Sequence, residues 1–226
     1  MKIIFSIGGS ILAPDGVDQD YAKKCAEFLK NLSHEHQVAV VVGGGRPARV
    51  DIKKARGEGK TWAQCDHIGI LATRSNAHGL MDYLGSSCNE KIPESIKEAA
   101  DLFGDNILVM GGTEPGHSTD AVACILGDWV GADLFVNASN IEYVFDKNPS
   151  KYDGAKPLST IEINDLIKLL SGEGSNAGEY PLLDHVALQI IKRAKLKSLI
   201  LDGRDIHNMK NAVEGTNFKG TTVIFD

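Results

Sequence analysis

Near its N-terminus the chain reads Ile3-Ile4-Phe5-Ser6-Ile7, and this apolar run leads directly into Gly8-Gly9-Ser10. A second run, Val38-Ala39-Val40-Val41-Val42, leads in the same way into Gly43-Gly44-Gly45. Short apolar runs bounded by glycine are typical of buried parallel strands. Glycine frees the dihedrals of the turn, and a helix that starts next points its first amides at an anion. The two turns therefore predict two phosphate sites, one for a donor and one for an acceptor.

Each turn taken alone also fits glycines that do no more than end a strand. The second turn, however, is followed by Arg46-Pro47-Ala48-Arg49. This spacing puts Arg49 about one turn into the next helix, where a guanidinium can form two hydrogen bonds to phosphate oxygens. The pair of turns together with this arginine favours phosphate binding.

The order of the predicted elements indicates one α/β domain that covers residues 1–226. Helix-like and strand-like segments alternate along the 226 residues, and we find neither an internal repeat nor a low-complexity linker. We expect a three-layer αβα sandwich, with helices on both faces of a wide, mostly parallel sheet. The net charge of −6, with no long basic run, argues against a nucleic-acid groove.

Cysteine usage and hydropathy give an expectation about the compartment. The four cysteines are far apart and form no C-x-x-C pair, which is typical of reduced thiols in a cytosolic protein. No segment approaches the roughly 20 apolar residues that a membrane-spanning helix needs. We expect a cytoplasmic protein with no membrane partner.

A long helix over residues 62–84 carries a stripe of polar and small residues. Asp66, Gly69, Thr73 and Asn76 are spaced by three, four and three residues, so they share one face. A solvated face and a ligand-binding face both fit this spacing. The glycine within the stripe favours close approach of a ligand.

A third glycine-rich turn, residues 111–120, follows the predicted strand 107–110 and leads into a helix over 121–126. Ser118 or Thr119 is expected to cap that helix. Asp120 in the first turn fits a simple interaction with the helix dipole, and it equally fits a metal-binding or catalytic role. We favour the second interpretation for Asp120.

The remaining segments complete the predicted sheet and its covering helices. The sequence predicts helices over 20–32, 46–56, 93–102, 161–170 and 182–194, a flexible segment over 171–178, and strands over 133–137, 141–145, 198–201 and 221–225.

Five segments in this order resemble the amino acid kinase family and, within it, the uridylate kinases of the archaeal type. The resemblance runs nearly from end to end of the chain. The segments are Ile7-Gly8-Gly9-Ser10, Gly43-Gly44-Gly45-x-x-Ala48-Arg49, Asp66-x-x-Gly69-x-x-Ala72-Thr73-x-x-Asn76-Ala77, Gly111-Gly112-Thr113-x-Pro115-Gly116-x-x-Thr119-Asp120-Ala121-Val122-Ala123, and Ala177-Gly178-x-Tyr180-x-Leu182-Leu183-Asp184.

The resemblance implies ATP-dependent phosphorylation of UMP to UDP with magnesium, in an enzyme that is commonly a hexamer. It implies catalytic roles for Arg49 and Asp120. The residues implied for ATP are Gly8, Gly9, Ser10, Gly45 and Arg49, with Ser139, Asn140, Phe145 and Asn148 near the base and ribose. Those implied for UMP are Gly44, Asp66, Thr73, Glu114, Pro115, Gly116, His117, Ser118, Thr119 and Asp120. No metal ligand is assigned.

Three positions depart from the pattern that this resemblance implies. Ser6 stands where many members have lysine, and Arg49, Lys151 or Lys156 are the candidates to supply the missing cation. Tyr143 replaces a glycine and Asn148 an aspartate in the adenine-side segment. These changes keep open a nucleotide-binding sensor or storage protein without catalysis.

A second alternative is a kinase of another small phosphate or carboxylate, such as isopentenyl phosphate. Such kinases resemble this chain in fold but usually carry a histidine before the glycine cluster. Here that position is Val42, and the following Gly45-Arg46-Pro47-Ala48-Arg49 resembles the nucleotide kinases.

Overall fold

The computed structural model describes residues 1–149, 151–171 and 182–226. Within them the helices are α1 (Gly9–Leu12), α2 (Gln19–Ser33), α3 (Gly45–Gly57), α4 (Trp62–Leu84), α5 (Ile96–Leu102), α6 (Thr119–Val130), α7 (Ile163–Ser171), α8 (His185–Ala194) and α9 (Ile206–Glu214). The strands are β1 (Lys2–Ile7), β2 (Gln37–Val42), β3 (Leu108–Met110), β4 (Leu134–Ser139), β5 (Val144–Phe145), β6 (Pro157–Leu158), β7 (Thr160–Glu162), β8 (Ser198–Asp202) and β9 (Thr221–Ile224).

Seven strands form the central sheet in the order β3-β2-β1-β4-β8-β9-β7. The first five are parallel to one another, whereas β9 pairs antiparallel with β8 and parallel with β7. Strands β5 and β6 form a separate antiparallel pair. The predicted three-layer, mostly parallel architecture is confirmed.

Successive side chains along each strand point to opposite faces of the sheet and form two apolar layers, one on each side. In β1, Ile3, Phe5 and Ile7 pack with residues of α2, α4 and α9 on one face. Ile4 packs on the other face with residues of α6, α7 and α8. Both faces of the sheet are therefore covered, as expected for parallel strands that are apolar throughout.

The connections place three turns at one edge of the sheet. Strands β1, β2 and β3 are neighbours, and the chain leaves their carboxyl ends through the three glycine turns before entering α1, α3 and α6. Carboxyl ends of parallel strands meet at the same edge, which is where open α/β sheets bind ligands. The fold thus brings together the three turns singled out in the sequence.

Several predicted elements are wrong in part. The predicted helices 93–102 and 182–194 begin only at Ile96 and His185. The predicted helix 161–170 begins only at Ile163, because Ile161 lies in β7 opposite Val223, and the Glu162 carboxylate caps the helix by accepting bonds from the amides of Asn164 and Asp165 at 2.7 and 3.2 Å. The predicted strand 141–145 is reduced to β5. The flexible segment predicted over 171–178 lies, apart from residue 171, outside the described residues.

The cysteine side chains and the hydropathy of the helices complete the description of the fold. All four cysteines are free and buried. No helix in the described residues is long and apolar enough to cross a bilayer.

Candidate active site

The first two glycine turns pack backbone against backbone. A Cβ on Gly9 would lie 2.1 Å from the amide nitrogen of Gly45 and 2.6 Å from the carbonyl of Gly43. Gly45 itself has φ +73°, and a Cβ there would lie 2.3 Å from the carbonyl oxygen of Ala13. Only glycine fits at both positions, so the starts of α1 and α3 are held at a fixed, minimal separation.

The polar stripe of α4 holds the glycine turns in place. Asn76 donates from Nδ2 to the carbonyl oxygens of Gly43 and Gly44, at 2.9 and 3.1 Å. Thr73 accepts a hydrogen bond from the Gly112 amide at 2.7 Å through its hydroxyl, which in turn donates to the Ile70 carbonyl at 2.6 Å. The stripe is therefore not a solvated face.

Asp66 links the same helix to the tip of the third turn. Its Oδ2 accepts a hydrogen bond from the amide of Gly116 at 2.9 Å, and Gly116 has φ +85°. Arg74 supports the base of the turn by donating from Nε to the Gly112 carbonyl at 3.1 Å. Helix α4 thus positions the third turn at its base and at its tip.

A cleft of about 660 Å³ opens between α3, α4 and the third turn. Its lining includes nine of the predicted site residues: Gly44, Gly45, Arg49, Asp66, Thr73, Gly116, His117, Ser118 and Thr119. Arg49 is exposed and is the only lysine or arginine among the described residues that line the cleft. The volume suits a small phosphorylated ligand.

The other predicted residues are not among the described residues that line this cleft. Gly8, Gly9 and Ser10 lie at the end of β1 and in α1, while Glu114 and Pro115 are exposed on the third turn. Ser139 ends β4, Asn140 follows it, Phe145 lies in β5, and Asn148 lies in the connection from β5 to β6. The structure therefore groups the residues predicted for the acceptor more tightly than those predicted for the adenine and ribose.

Asp120 lies in the first turn of α6, two residues after the cap residue Ser118. Its Oδ1 accepts hydrogen bonds from the Ser6 hydroxyl at 2.6 Å and from Nδ2 of Asn137 at 2.8 Å. Burial raises the pKa of Asp120 to about 6; the Asp184 carboxylate also raises it, whereas the bonds from Ser6 and Asn137 lower it. Such a perturbed carboxyl beside a cleft is typical of functional sites.

Asp184 is a cleft residue to which the sequence analysis gave no role. It caps α8 by accepting bonds from the amides of Val186 and Ala187 at 2.8 and 3.2 Å, and its other oxygen accepts a bond from the Ser118 hydroxyl. It therefore joins α8 to the third turn. The Leu182-Leu183-Asp184 run before an amphipathic helix was the available signal, because aspartate is a preferred cap.

Of the three candidates for the missing cation, Arg49 alone lines the cleft. Lys156 is exposed next to β6, where its amide donates to Asp146 at 2.8 Å. Lys151 lies with it in the β5–β6 connection. The Tyr143 side chain is half-buried just before β5.

Comparison with known proteins agrees with this arrangement. Residues 1–202 match the model of the amino acid kinase family. The chain is 43% identical to the uridylate kinase of Methanobrevibacter smithii over 99% of both chains, and 39% identical to that of Methanocaldococcus jannaschii over 97% of this chain and 100% of the relative. The chain belongs to the amino acid kinase family, among the uridylate kinases of the archaeal type.

Solved uridylate kinases have the same architecture. The crystal structure from Archaeoglobus fulgidus aligns with a TM-score of 0.87 at 35% identity, covering 99% of this chain and 100% of that one. The UMP kinase from Ureaplasma parvum, at 20% identity and a TM-score of 0.77, shares the fold. Membership of the uridylate kinases does not favour the isopentenyl phosphate kinase or the sensor protein considered from sequence.

Proposed function

We propose that this protein transfers the γ-phosphoryl group of ATP to UMP, giving UDP and ADP. The observation that carries the proposal is the convergence of the glycine turns, Arg49 and Asp66 on one cleft at the carboxyl ends of β1, β2 and β3. The names of the relatives support the substrate pair. The product UDP places the enzyme in pyrimidine nucleotide biosynthesis.

The acceptor nucleotide is proposed to lie against α4 and the third turn. Asp66 is an acceptor for a sugar hydroxyl, and the turn from Glu114 to Asp120 closes around the UMP phosphate at the start of α6. Thr73 contributes through the position of Gly112, because its hydroxyl already makes two hydrogen bonds. Gly44 lines the floor between the two phosphates.

The donor nucleotide is proposed to reach the cleft from the side of α1. Backbone groups of Gly8, Gly9 and Gly45 face its phosphates, with the Ser10 hydroxyl beside them. The base and ribose extend over Ser139, Asn140, Phe145 and Asn148. In this arrangement the γ-phosphoryl group lies between the first two turns, in line with the UMP phosphate.

The chemistry requires positioning and charge stabilisation more than bond-making groups on the protein. Charge spreads over the oxygens of the moving phosphoryl group, and backbone amides and a guanidinium can stabilise it without rearranging. Arg49 supplies the guanidinium. Asp120 is proposed to organise the cation that accompanies the phosphates.

Magnesium fits the donor chemistry of the site. The described residues contain no group of three or more His, Cys, Asp or Glu side chains that could hold a metal by themselves. Mg²⁺ usually retains waters and binds through one or two carboxylates plus substrate phosphates. Asp120 is the carboxylate proposed for this role, since its two hydrogen bonds from Ser6 and Asn137 are both on Oδ1, whereas the carboxylates of Asp66 and Asp184 hold the third turn. When bound, the ion would neutralise charge on the phosphates.

We further propose that the chain acts as a single-domain, cytoplasmic homo-oligomer, a hexamer as the family resemblance implies. Val50, Trp62 and Leu71 on α3 and α4 are each more than half exposed. Such exposed apolar side chains support a subunit contact that involves these two helices.

A coupled assay tests the proposal. Purified protein is given ATP and Mg²⁺ with UMP, CMP, dUMP or isopentenyl phosphate in turn, and ADP release is followed. We expect UMP to have the highest kcat/KM of the four. Turnover of isopentenyl phosphate alone, or of none of the four, would contradict it.

Replacing Arg49 with lysine is expected to raise the KM for ATP by roughly tenfold. Lysine keeps the charge but loses the planar pair of donors that suits phosphate oxygens. The Arg193→Lys variant is the matched control, because Arg193 of α8 is exposed, does not line the cleft and forms a surface ion pair with Asp128 of α6. Equal ATP kinetics for the two variants would remove Arg49 from the site.

A further inference from the structure

Two polar side chains are buried at the floor of the site, on adjacent strands. Ser6 of β1 and Asn137 of β4 are register partners, and each is 2% exposed. Both donate to the same atom, Oδ1 of Asp120, although Ser6 is 114 residues away in sequence. The three residues form one cluster, which we call the floor cluster.

The surroundings of the floor cluster are apolar. On the same face of the sheet Ile4 and Phe135 precede Ser6 and Asn137 by two residues, and both are fully buried. A polar group in such a layer lowers stability unless it is hydrogen-bonded. Packing alone would favour apolar residues at these two positions.

Asn137 shows this cost directly. Its Oδ1 is buried and has no hydrogen-bond partner within the described ranges 1–149, 151–171 and 182–226. A buried acceptor without a donor destabilises the fold. The compensating contact that Asn137 makes is the bond from its Nδ2 to Asp120. The bond to Asp120, and not packing in the core, therefore explains why an asparagine stands at this position.

The floor cluster contains no cation. Among the described residues no salt bridge joins Asp120 to a lysine or arginine, and its two side-chain donors are neutral. A neutral donor fixes the direction of a carboxylate without cancelling its charge. The position where the family resemblance leads one to expect lysine is thus occupied by Ser6, whose hydroxyl orients Asp120.

We propose that Ser6 and Asn137 are positioning residues that hold Oδ1 of Asp120 and leave its second oxygen for the cation and phosphates of the reaction. This inference rests on the proposed role of Asp120. It assigns a function to Ser6, which stands where many members of the family have lysine. The Ser6 hydroxyl and the Asn137 amide orient the charged Asp120 carboxylate through two hydrogen bonds from neutral donors.

Ser6→Ala and Asn137→Leu test the inference in the full-length enzyme. Each removes one hydrogen bond to a charged group, so kcat is expected to fall by roughly 10- to 100-fold. The KM values for ATP and UMP should stay within about twofold, because neither side chain lines the cleft. Ser6→Thr, which keeps the hydroxyl, should restore most of the loss.

Asn137→Leu should also leave the unfolding midpoint unchanged or raise it, because the unpartnered oxygen is removed with the amide. A residue with a purely structural role would lower the midpoint and kcat together. If the leucine variant does not fold, Asn137→Ala supplies the kcat measurement alone, because its cavity lowers the midpoint whatever the role of Asn137. The matched control is Ser198→Ala: Ser198 is fully buried at the start of β8, opposite Phe135 of β4, and its hydroxyl donates to the Leu196 carbonyl and not to Asp120. It should keep wild-type kcat.

A double-mutant cycle separates this inference from the role of Asp120. If Ser6 acts through Asp120, then Ser6→Ala has no further effect on kcat in an Asp120→Asn background. A further loss of the same size there, or wild-type kcat in both Ser6→Ala and Asn137→Leu, would overturn the positioning role while leaving the proposed function intact. Near-normal turnover of Asp120→Asn alone would instead refute the role of Asp120.

Discussion

Replacing Asp120 with asparagine is expected to slow UDP formation by roughly 10²- to 10³-fold, the scale for losing one group that stabilises transition-state charge. Asparagine is nearly isosteric, and its Oδ1 can still accept the bonds from Ser6 and Asn137. The loss therefore reports on the carboxylate charge and not on the geometry of the floor cluster. Turnover within a few-fold of wild type would contradict this role.

The same substitution is expected to stabilise the fold at neutral pH. The pKa of Asp120 is raised in the folded state to about 6, from an ordinary value near 4 in the unfolded chain. A carboxyl with a raised folded-state pKa adds stability below its unfolded pKa, and that contribution is lost as the pH rises from about 4 through about 6. Above pH 6 the wild type contains a destabilising buried charge that asparagine lacks.

Urea unfolding in metal-free buffer measures this effect. The advantage of Asp120→Asn over wild type should be small near pH 4.5 and should reach about 2 to 3 kcal/mol at pH 7.5, at ~1.4 kcal/mol per pKa unit. Asp101→Asn is the control, because Asp101 is exposed and forms a surface pair with Lys97; the difference in stability between this variant and wild type should change little with pH. An advantage that is equal at both pH values would exclude titration of Asp120 as the cause.

Replacing Gly9 with alanine is expected to abolish the folded enzyme or to destabilise it by about 3 kcal/mol or more. The added Cβ would lie 2.1 Å from the Gly45 nitrogen and 2.6 Å from the Gly43 carbonyl. Both neighbours are backbone atoms in turns that follow central strands, so neither can move without separating α1 from α3.

Gly57→Ala is the matched control for that change. Gly57 lies at the end of α3, and a Cβ there would meet no atom within 4 Å. Chemical unfolding and UDP formation are measured on both variants. We expect the control to behave like the wild type; a Gly9→Ala enzyme with wild-type stability and activity would show that the close approach of the two turns is not required.

The sequence predicted the regular elements well where the signals are local. Helix α4 was predicted with the bounds that the structure has, and the structure shows a capping box of Thr61 and Gln64 at its start. The cap at Ser118 was one of the two expected. The apolar runs before the first two glycine turns were predicted as strands and form β1 and β2, because a short apolar run bounded by glycine is typical of a buried strand.

What could not be predicted depends on pairing between distant segments. Strand β7 was assigned to a helix, because only its ladder with β9 makes residues 160–162 extended. Helix α9 was not predicted at all, although Asp205 caps its start and Gly215 ends it with φ +71°. Short elements of this kind give weak periodicity, and their stability comes from tertiary packing.

The residues of the candidate site also fall into two groups, those that local sequence patterns predicted and those that only the structure revealed. The glycine turns, Arg49 and the stripe of α4 carried recognisable spacings, and the structure brings them to one cleft. The bonds from Ser6 and Asn137 to Asp120, and that from Ser118 to Asp184, join residues on different elements. No local pattern encodes such contacts, so the orientation of the two carboxylates had to come from the structure.

Phosphorus NMR of the reaction tests the central claim most directly, because it follows the transferred group itself. With ATP, UMP, Mg²⁺ and the wild-type protein, we expect the γ-phosphorus signal of ATP to decrease as the β-phosphorus signal of UDP grows by the same amount, and the Asp120→Asn protein to show almost no change over the same time. Loss of the ATP signal into inorganic phosphate with no UDP would contradict the claim, because it would show that the two nucleotides do not meet in this cleft.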